Sequence, residues 1–151
     1  MIINEYRIFE FIIIIMALDK IEHIGIAVKD LETSNQLFKS LFGEAHYKIE
    51  AVESEGVTTS FFQCGPNKIE LLQATKVDSP IAKFIEKKGE GIHHIAFAVN
   101  DIEKELERLS SEGFELIHKT PKQGADNKLI AFLHPKSTNS VLIELCQDIK
   151  E

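Results

Sequence analysis

Two histidines and two glutamates of this 151-residue chain recur as matched pairs, one pair in each half. Glu70 follows His23 by 47 residues, and Glu144 follows His94 by 50 residues. Taken singly, such a histidine is more often a hydrogen-bonded core residue, and such a glutamate a solvated one. A carboxylate on a half-buried strand costs several kcal/mol unless it is paired or bound to a metal. The duplicated pairs therefore predict one site built from all four side chains.

The proposed ligand set consists of two imidazoles and two carboxylates. This mixture of nitrogen and oxygen ligands suits a borderline divalent ion, with water filling the remaining positions. We therefore expect one Co²⁺, Mn²⁺, Ni²⁺ or Zn²⁺ ion per chain, held by His23, Glu70, His94 and Glu144.

The segments that carry these residues form an internal repeat. Residues 21–30 and 92–101 are identical at six of ten positions, and each ends at an Asp that precedes a helical pattern. The predicted helices run from Leu31 to Phe42 and from Ile102 to Glu112, and each has a glycine just after its end. A third helix, from Pro80 to Lys88, links the halves. We predict further strands near residues 47–52, 57–64, 68–72, 114–119, 129–134 and 140–147.

These elements predict an α+β fold of two tandem βαβββ modules, residues 18–78 and 90–149, forming a curved mixed sheet around the metal. Side chains alternate along a strand, so His23 shares a face with Gly25 and Ala27. These small residues leave room on the concave side. The same alternation turns His93 to the opposite face from His94, so we interpret His93 as structural or solvent-facing. His46 and His118 are predicted to be surface residues.

Composition excludes some partners. The net charge is −7 and the basic residues are scattered, so no nucleic acid partner is expected. Cys64 and Cys146 lie in apolar strand-like segments, which indicates reduced interior thiols and a cytoplasmic location. Residues 1–17 are interpreted as an N-terminal extension or the product of an upstream start, the alternative being an added strand. Their apolar run, residues 11–16, is too short to span a bilayer, so no membrane partner is expected.

Six segments resemble the methylmalonyl-CoA epimerases of the vicinal oxygen chelate superfamily. They are residues 22–28, 68–72, 78–84, 91–97, 132–136 and 139–145. The resemblance implies a glyoxalase-like fold, the same four metal ligands, and cobalt as the favoured ion. It also implies a homodimer that takes an acyl-CoA substrate and interconverts (R)- and (S)-methylmalonyl-CoA by metal-assisted proton removal at C2.

The chain departs from some family members, which carry a glutamate where this sequence has Thr59. The remaining candidates for proton transfer are Glu144 and Lys68. Lys68 lies two residues before Glu70, where a nearby cation could lower its pKa, or where it could simply form a salt bridge. Two polar segments could bind the acyl end or the CoA phosphates, the alternative being ordinary hairpin loops. Their candidate residues are Lys122, Gly124, His134, Lys136 and Ser137.

Three other functions stay open on the residues alone. A glyoxalase I type lyase would use the same fold and similar ligands on the adduct of methylglyoxal and glutathione. A ring-cleaving dioxygenase of the superfamily would use three ligands and leave more positions open for oxygen. A binding module of the drug-resistance type would need no metal.

Overall fold

One mixed sheet of eight strands organises the computed structural model, which describes residues 18–150. The predicted extension, residues 1–17, lies outside the described residues. The strands are β1 (Lys20–Val28), β2 (Lys48–Val52), β3 (Val57–Cys64), β4 (Asn67–Ala74), β5 (Gly91–Ala98), β6 (Lys122–Gln123), β7 (Lys128–Leu133) and β8 (Ile143–Asp148). The helices are α1 (Leu31–Phe42), α2 (Pro80–Lys88) and α3 (Ile102–Ser111), and a 3₁₀ turn spans Pro135–Ser137.

The order of strands across the sheet is β2-β3-β4-β1-β5-β8-β7-β6. The two halves have the same strand order from the edge of the sheet to its centre. It is β2, β3, β4 and β1 in the first half and β6, β7, β8 and β5 in the second. β1 pairs in parallel with β4, β5 pairs in parallel with β8, and the antiparallel pair β1·β5 joins the halves at the centre. The sheet curls into a half-barrel. The predicted fold class, two βαβββ modules in one curved mixed sheet, is therefore confirmed.

The helices begin where the N-cap residues predict, and α3 ends at Ser111, one residue before the predicted end at Glu112. The Asp30 carboxylate accepts a hydrogen bond from the backbone N–H of Thr33, and Asp101 does the same for Lys104. Helix α1 packs Phe38 and Phe42 against the apolar face of the first half. The equivalent cluster of the second half contains Ile102, Leu106 and Leu109 of α3. These two helices cover one face of the sheet and leave the other for the site.

Two β-bulges interrupt the central pair β1·β5. Ile21 and His23 pair with the consecutive residues Phe97 and Ala96, so Glu22 is an extra residue on β1. Further along, Gly25 and Ile26 pair with His94 and Ile92, so His93 is the extra residue on β5. A bulge breaks the alternation of side chains between the two faces. The prediction that His93 faces away from His94 is wrong for this reason.

Three local predictions also differ from the structure. Residues 114–119 form no strand, because only Leu116 bridges to β7 and the adjoining edge of β7 pairs with β6. The last strand starts at Ile143 rather than Ser140, since Asn139 and Ser140 adopt positive φ angles. Both cysteines are free, but Cys64 is exposed and only Cys146 is buried. Within residues 18–150 none of the helices is a candidate for crossing a bilayer.

Candidate metal centre

The four proposed ligands lie on the four adjacent strands at the middle of the sheet. Their register forms two rows, each made of a glutamate, a small residue and a histidine. In one row Gly25 lies between Glu70 and His94, and in the other Ala96 lies between Glu144 and His23. The small residue at the middle of each row keeps the concave face open, as the sequence predicts.

The side-chain donor atoms of this set converge. The Nε2 atoms of His23 and His94 are 3.0 Å apart, and Glu70 Oε2 lies 3.2 Å from His23 Nε2 and 3.6 Å from His94 Nε2. Glu144 presents Oε1 at 3.7 Å from His23 Nε2 and Oε2 at 3.6 Å from His94 Nε2. All four residues are buried.

These separations fit a divalent ion. Ligands held about 2.0–2.2 Å from one ion in tetrahedral or octahedral geometry lie about 2.8–3.6 Å from their neighbours. The observed separations of 3.0–3.7 Å lie within that spacing or 0.1 Å beyond it. Two imidazoles and two carboxylates also give the nitrogen and oxygen donors that such ions prefer. His23, His94 and Glu144 further form a cluster whose ligand atoms all lie within 4.8 Å of one another.

The pKa values of His23 and Glu70 depend on each other. Burial opposes protonation of His23, but the Glu70 carboxylate and the hydrogen bond to Glu22 hold the pKa of His23 well above its usual value. Burial favours protonation of Glu70 as well, yet the neighbouring His23 keeps the pKa of Glu70 well below its usual range. For Glu144 burial dominates and raises the pKa. The two carboxylates are therefore electrostatically unequal despite their equivalent places in the repeat.

Glu22 and His93, each directly before a proposed ligand, also belong to this centre. Glu22 Oε2 contacts His23 Nδ1, and His93 Nδ1 lies 2.9 Å from His94 Nδ1. Burial raises the pKa of Glu22, but the hydrogen bonds with His23 and Lys68 outweigh it and lower that pKa to about 2. The sequence did contain a signal, because two consecutive polar residues interrupt each apolar strand at the same point of the repeat.

The donor set opens onto a cavity of about 240 Å³ between the two halves. Its walls are mainly apolar, and α2 contributes Pro80 and Ile81. The other apolar residues include Val57, Phe61, Leu72, Ile130, Phe132 and Leu142. His118, predicted to be a surface residue, also lines this cavity, and its Nδ1 accepts a hydrogen bond from the backbone N–H of Phe132.

Lys68 forms salt bridges rather than serving as a free amine. Its Nζ lies 2.5 Å from Glu22 Oε1 and 2.7 Å from Asp126 Oδ2. Burial works to lower the pKa of Lys68, but the hydrogen bonds to Asp126 and Glu22 outweigh it and raise that pKa. Lys68 therefore forms the salt bridges of the second alternative, and these contacts hold its pKa up rather than down. An amine that holds its proton this firmly is a poor general base.

The predicted substrate-binding residues separate into two groups. Lys122 and Gly124 line the cavity, where Lys122 Nζ lies 2.5 Å from Glu55 Oε1. His134, Lys136 and Ser137 form the turn after β7 and are not among the cavity residues. In that turn His134 Nδ1 accepts a hydrogen bond from the backbone N–H of Lys136.

The fold and the paired ligands define the class of protein to which this chain belongs. It is a member of the glyoxalase/bleomycin resistance protein/dioxygenase superfamily, whose model matches residues 22–132. Among its relatives is the mitochondrial methylmalonyl-CoA epimerase of Dictyostelium discoideum, 42% identical over 132 residues, which cover 86% of this chain and 79% of that protein. The uncharacterised Bacillus subtilis protein YqjC is 42% identical over 130 residues, 86% of this chain and 93% of that protein.

A solved structure supports the same relationship. A variant of the Streptomyces coelicolor methylmalonyl-CoA epimerase, in complex with 2-nitronate-propionyl-CoA, superposes with a TM-score of 0.84 at 32% identity. The match covers 87% of this chain and 95% of that one. The Dictyostelium and Streptomyces proteins are both methylmalonyl-CoA epimerases.

Proposed function

We propose that this protein is a methylmalonyl-CoA epimerase that interconverts the (R) and (S) forms by metal-assisted proton removal at C2. The observation that carries the proposal is the convergence of His23, Glu70, His94 and Glu144 in the wall of an apolar cavity, in a chain similar to such epimerases. A divalent ion held by these four residues would supply a Lewis acid for the thioester and carboxylate oxygens of the substrate.

The dimensions of the cavity suit the acyl end of a thioester. Pockets that enclose a whole drug-sized ligand measure about 300–1,000 Å³. The cavity here is about 240 Å³, so a methylmalonyl group fits inside while most of CoA stays outside. Its apolar walls exclude water and thereby strengthen electrostatic interactions with the charge that develops on the enolate oxygen.

Proton transfer and substrate binding are assigned to individual side chains of the protein. Glu144 is proposed to move the C2 proton, because it is a buried carboxylate that lines the cavity. Lys122 is proposed to bind an anionic part of the substrate, in exchange for its pairing with Glu55. Gly124 is proposed to let the loop approach the acyl group closely. His134, Lys136 and Ser137 lie outside the cavity and are proposed to contact the CoA portion.

The test is an isotope experiment. Protein loaded with Co²⁺ and incubated in D₂O with one epimer of methylmalonyl-CoA should incorporate deuterium at C2 while forming the other epimer. A chelator should stop both processes, since both need the polarised thioester. Neither process in loaded protein, together with turnover of the methylglyoxal–glutathione adduct, would assign the lyase reaction instead. Exchange that a chelator leaves unchanged would contradict the metal requirement.

The ligand set has its own test. Purified protein should bind about one divalent ion per chain, and alanine at position 23, 70, 94 or 144 should abolish binding, because each change removes one ligand. His46→Ala is the matched control, since His46 packs against Phe62 away from the site. We further propose a cytoplasmic homodimer, as the family resemblance implies, and light scattering of the purified protein tests the dimer.

A further inference from the structure

Glu22 and His93 occupy the same position of the internal repeat, each directly before a proposed metal ligand. Each is also the extra residue of a β-bulge in the central strand pair. Because of the bulges, each lines the same cavity as the histidine that follows it. A bulged residue beside a proposed ligand therefore occurs in both halves. It is a carboxylate in the first half and an imidazole in the second.

We propose that Glu22 and His93 are positioning residues that hold His23 and His94 in the tautomer and orientation that present Nε2 to a divalent ion. The inference rests on the proposed metal centre. A histidine that binds a metal through Nε2 carries its remaining proton on Nδ1, and the partner of that proton fixes the tautomer. In this protein both Nδ1 atoms have such a partner.

In the first half the partner is an ionised acceptor. A carboxylate can only accept, so the contact between Glu22 Oε2 and His23 Nδ1 requires a proton on Nδ1, and in the neutral ring that a metal binds this leaves Nε2 free. Glu22 is itself held in place, because Lys68 Nζ lies 2.5 Å from Oε1, the other oxygen of the same carboxylate. One oxygen thus binds the lysine while the other orients the ligand.

In the second half the partner is another imidazole. For His94 to offer Nε2 to the ion, its Nδ1–H must donate to Nδ1 of His93, 2.9 Å away. His93 then carries its own proton on Nε2, so the tautomer of one ring determines that of the other. Edge-on aromatic contacts fix both rings, Phe84 against His93 and Phe132 against His94. Without an acceptor at residue 93, the Nδ1–H of the buried His94 would have no partner, which is unfavourable.

The hydrogen bond that orients His23 should be stronger than the one that orients His94. Hydrogen bonds to ionised acceptors are stronger than those between neutral groups. Removal of Glu22 should therefore weaken metal binding more than removal of the acceptor at His93. Both changes leave the four ligands in the sequence, which separates orientation of the ligands from ligation itself.

The experiment measures Co²⁺ affinity by competition with a chelator in four variants of the full chain. Glu22→Leu and His93→Phe remove the acceptor and keep most of the volume, and they should weaken Co²⁺ binding by about 10–100-fold, the usual effect of losing such a partner. Glu22→Gln and His93→Gln keep an acceptor oxygen and should recover part of that loss. Imidazole ¹⁵N chemical shifts, recorded without metal at an alkaline pH where the rings are neutral, should show a larger Nε2-protonated fraction in the Leu and Phe variants.

Each result is decisive. His46→Phe is the matched control for a histidine replaced by a ring without nitrogen, and it should bind Co²⁺ like the wild type. Wild-type affinity in both Glu22→Leu and His93→Phe would overturn the positioning function while leaving the metal centre intact. Equal losses in the Gln variants and their Leu or Phe counterparts would overturn the hydrogen-bond explanation. A wild-type protein that binds no Co²⁺ would overturn the metal centre and, with it, this inference.

Discussion

Gly25 lies directly opposite His94 in the central strand pair, and a Cβ atom built on Gly25 would lie 2.2 Å from Cε1 of the His94 ring. No real Cβ atom tolerates such a contact, so His94 occupies its place only because residue 25 has no side chain. In the second half Ala96 takes the equivalent position opposite His23. The small residues of the two rows therefore determine where the imidazoles can lie.

Gly25→Ala should displace the His94 ring and weaken metal binding. Because a shift of a fraction of an ångström disrupts a coordination site, we expect Co²⁺ affinity to fall by at least about 10-fold. Competition titration measures this loss. Gly65→Ala is the control, since a Cβ at Gly65 meets open space while its positive φ still costs stability. Equal affinities of Gly25→Ala and the wild type would show that the ring moves without consequence.

Thr59→Val should destabilise the protein, because it removes a hydrogen bond to Glu70. The Thr59 hydroxyl lies 2.8 Å from Glu70 Oε1 and 3.0 Å from the backbone oxygen of Leu71, and the residue is fully buried. Valine has the same shape but no donor, so the carboxylate loses one of its partners. We expect the free energy of unfolding to fall by about 1–3 kcal/mol, the cost of a buried polar group without its partner. Urea denaturation measures it.

The neighbouring substitution Thr58→Val serves as the control for Thr59→Val. Thr58 is half-buried and adjacent on the same strand, so its side chain points to the opposite face. Its stability should change by less than about 0.5 kcal/mol, as for most substitutions away from a site. Similar losses in both variants would show that the effect comes from the strand rather than from Glu70.

The sequence predicts much of this architecture because repetition makes weak signals consistent. A single His23 or Glu70 is ambiguous, but the same pair at the same point of two modules is not. The helices begin after Asp30 and Asp101 because these side chains cap the first turn, an interaction that spans only a few residues. These features are local, and the sequence expresses them directly.

The two β-bulges could not be predicted from such local features. Whether Glu22 and His93 face the cavity depends on one extra residue in each strand, and alternation assumes that there is none. The pairing of Lys68 with Asp126 is another example, because it joins residues 58 positions apart. Asp126 reaches Lys68 from a turn in which Asp126 and Asn127 both have φ of 55°, a conformation that the sequence alone does not fix.

Lys68→Met should destabilise the protein without separating C2 exchange from inversion. The ammonium group joins Glu22 in one half to Asp126 in the other, so its loss should lower the free energy of unfolding by about 1–3 kcal/mol. Deuterium incorporation and epimer formation should fall together, if either falls. The exposed Lys104, paired with Asp101, provides the control Lys104→Met. Slow inversion with normal exchange would instead place Lys68 on one face of the enolate.

Glu144→Gln should slow epimerisation even when the metal site is saturated. If Glu144 moves the C2 proton, its amide substitute cannot, and turnover should fall by at least about 10²-fold, the lower end for losing a proton-transfer group. Glu70→Gln is the matched comparison, because Glu70 occupies the equivalent place in the other row. Both variants should bind Co²⁺ more weakly, which titration measures separately.

Saturating Co²⁺ then distinguishes ligation from proton transfer. Under that condition Glu70→Gln should regain much of its deuterium exchange, whereas Glu144→Gln should remain slow. Glu105→Gln controls for the loss of a buried carboxylate, since Glu105 pairs with Arg108 on α3 and is not among the cavity residues. Equal recovery of the two ligand variants would mean that Glu144 only binds the metal, and that the C2 proton leaves through another residue of the cavity.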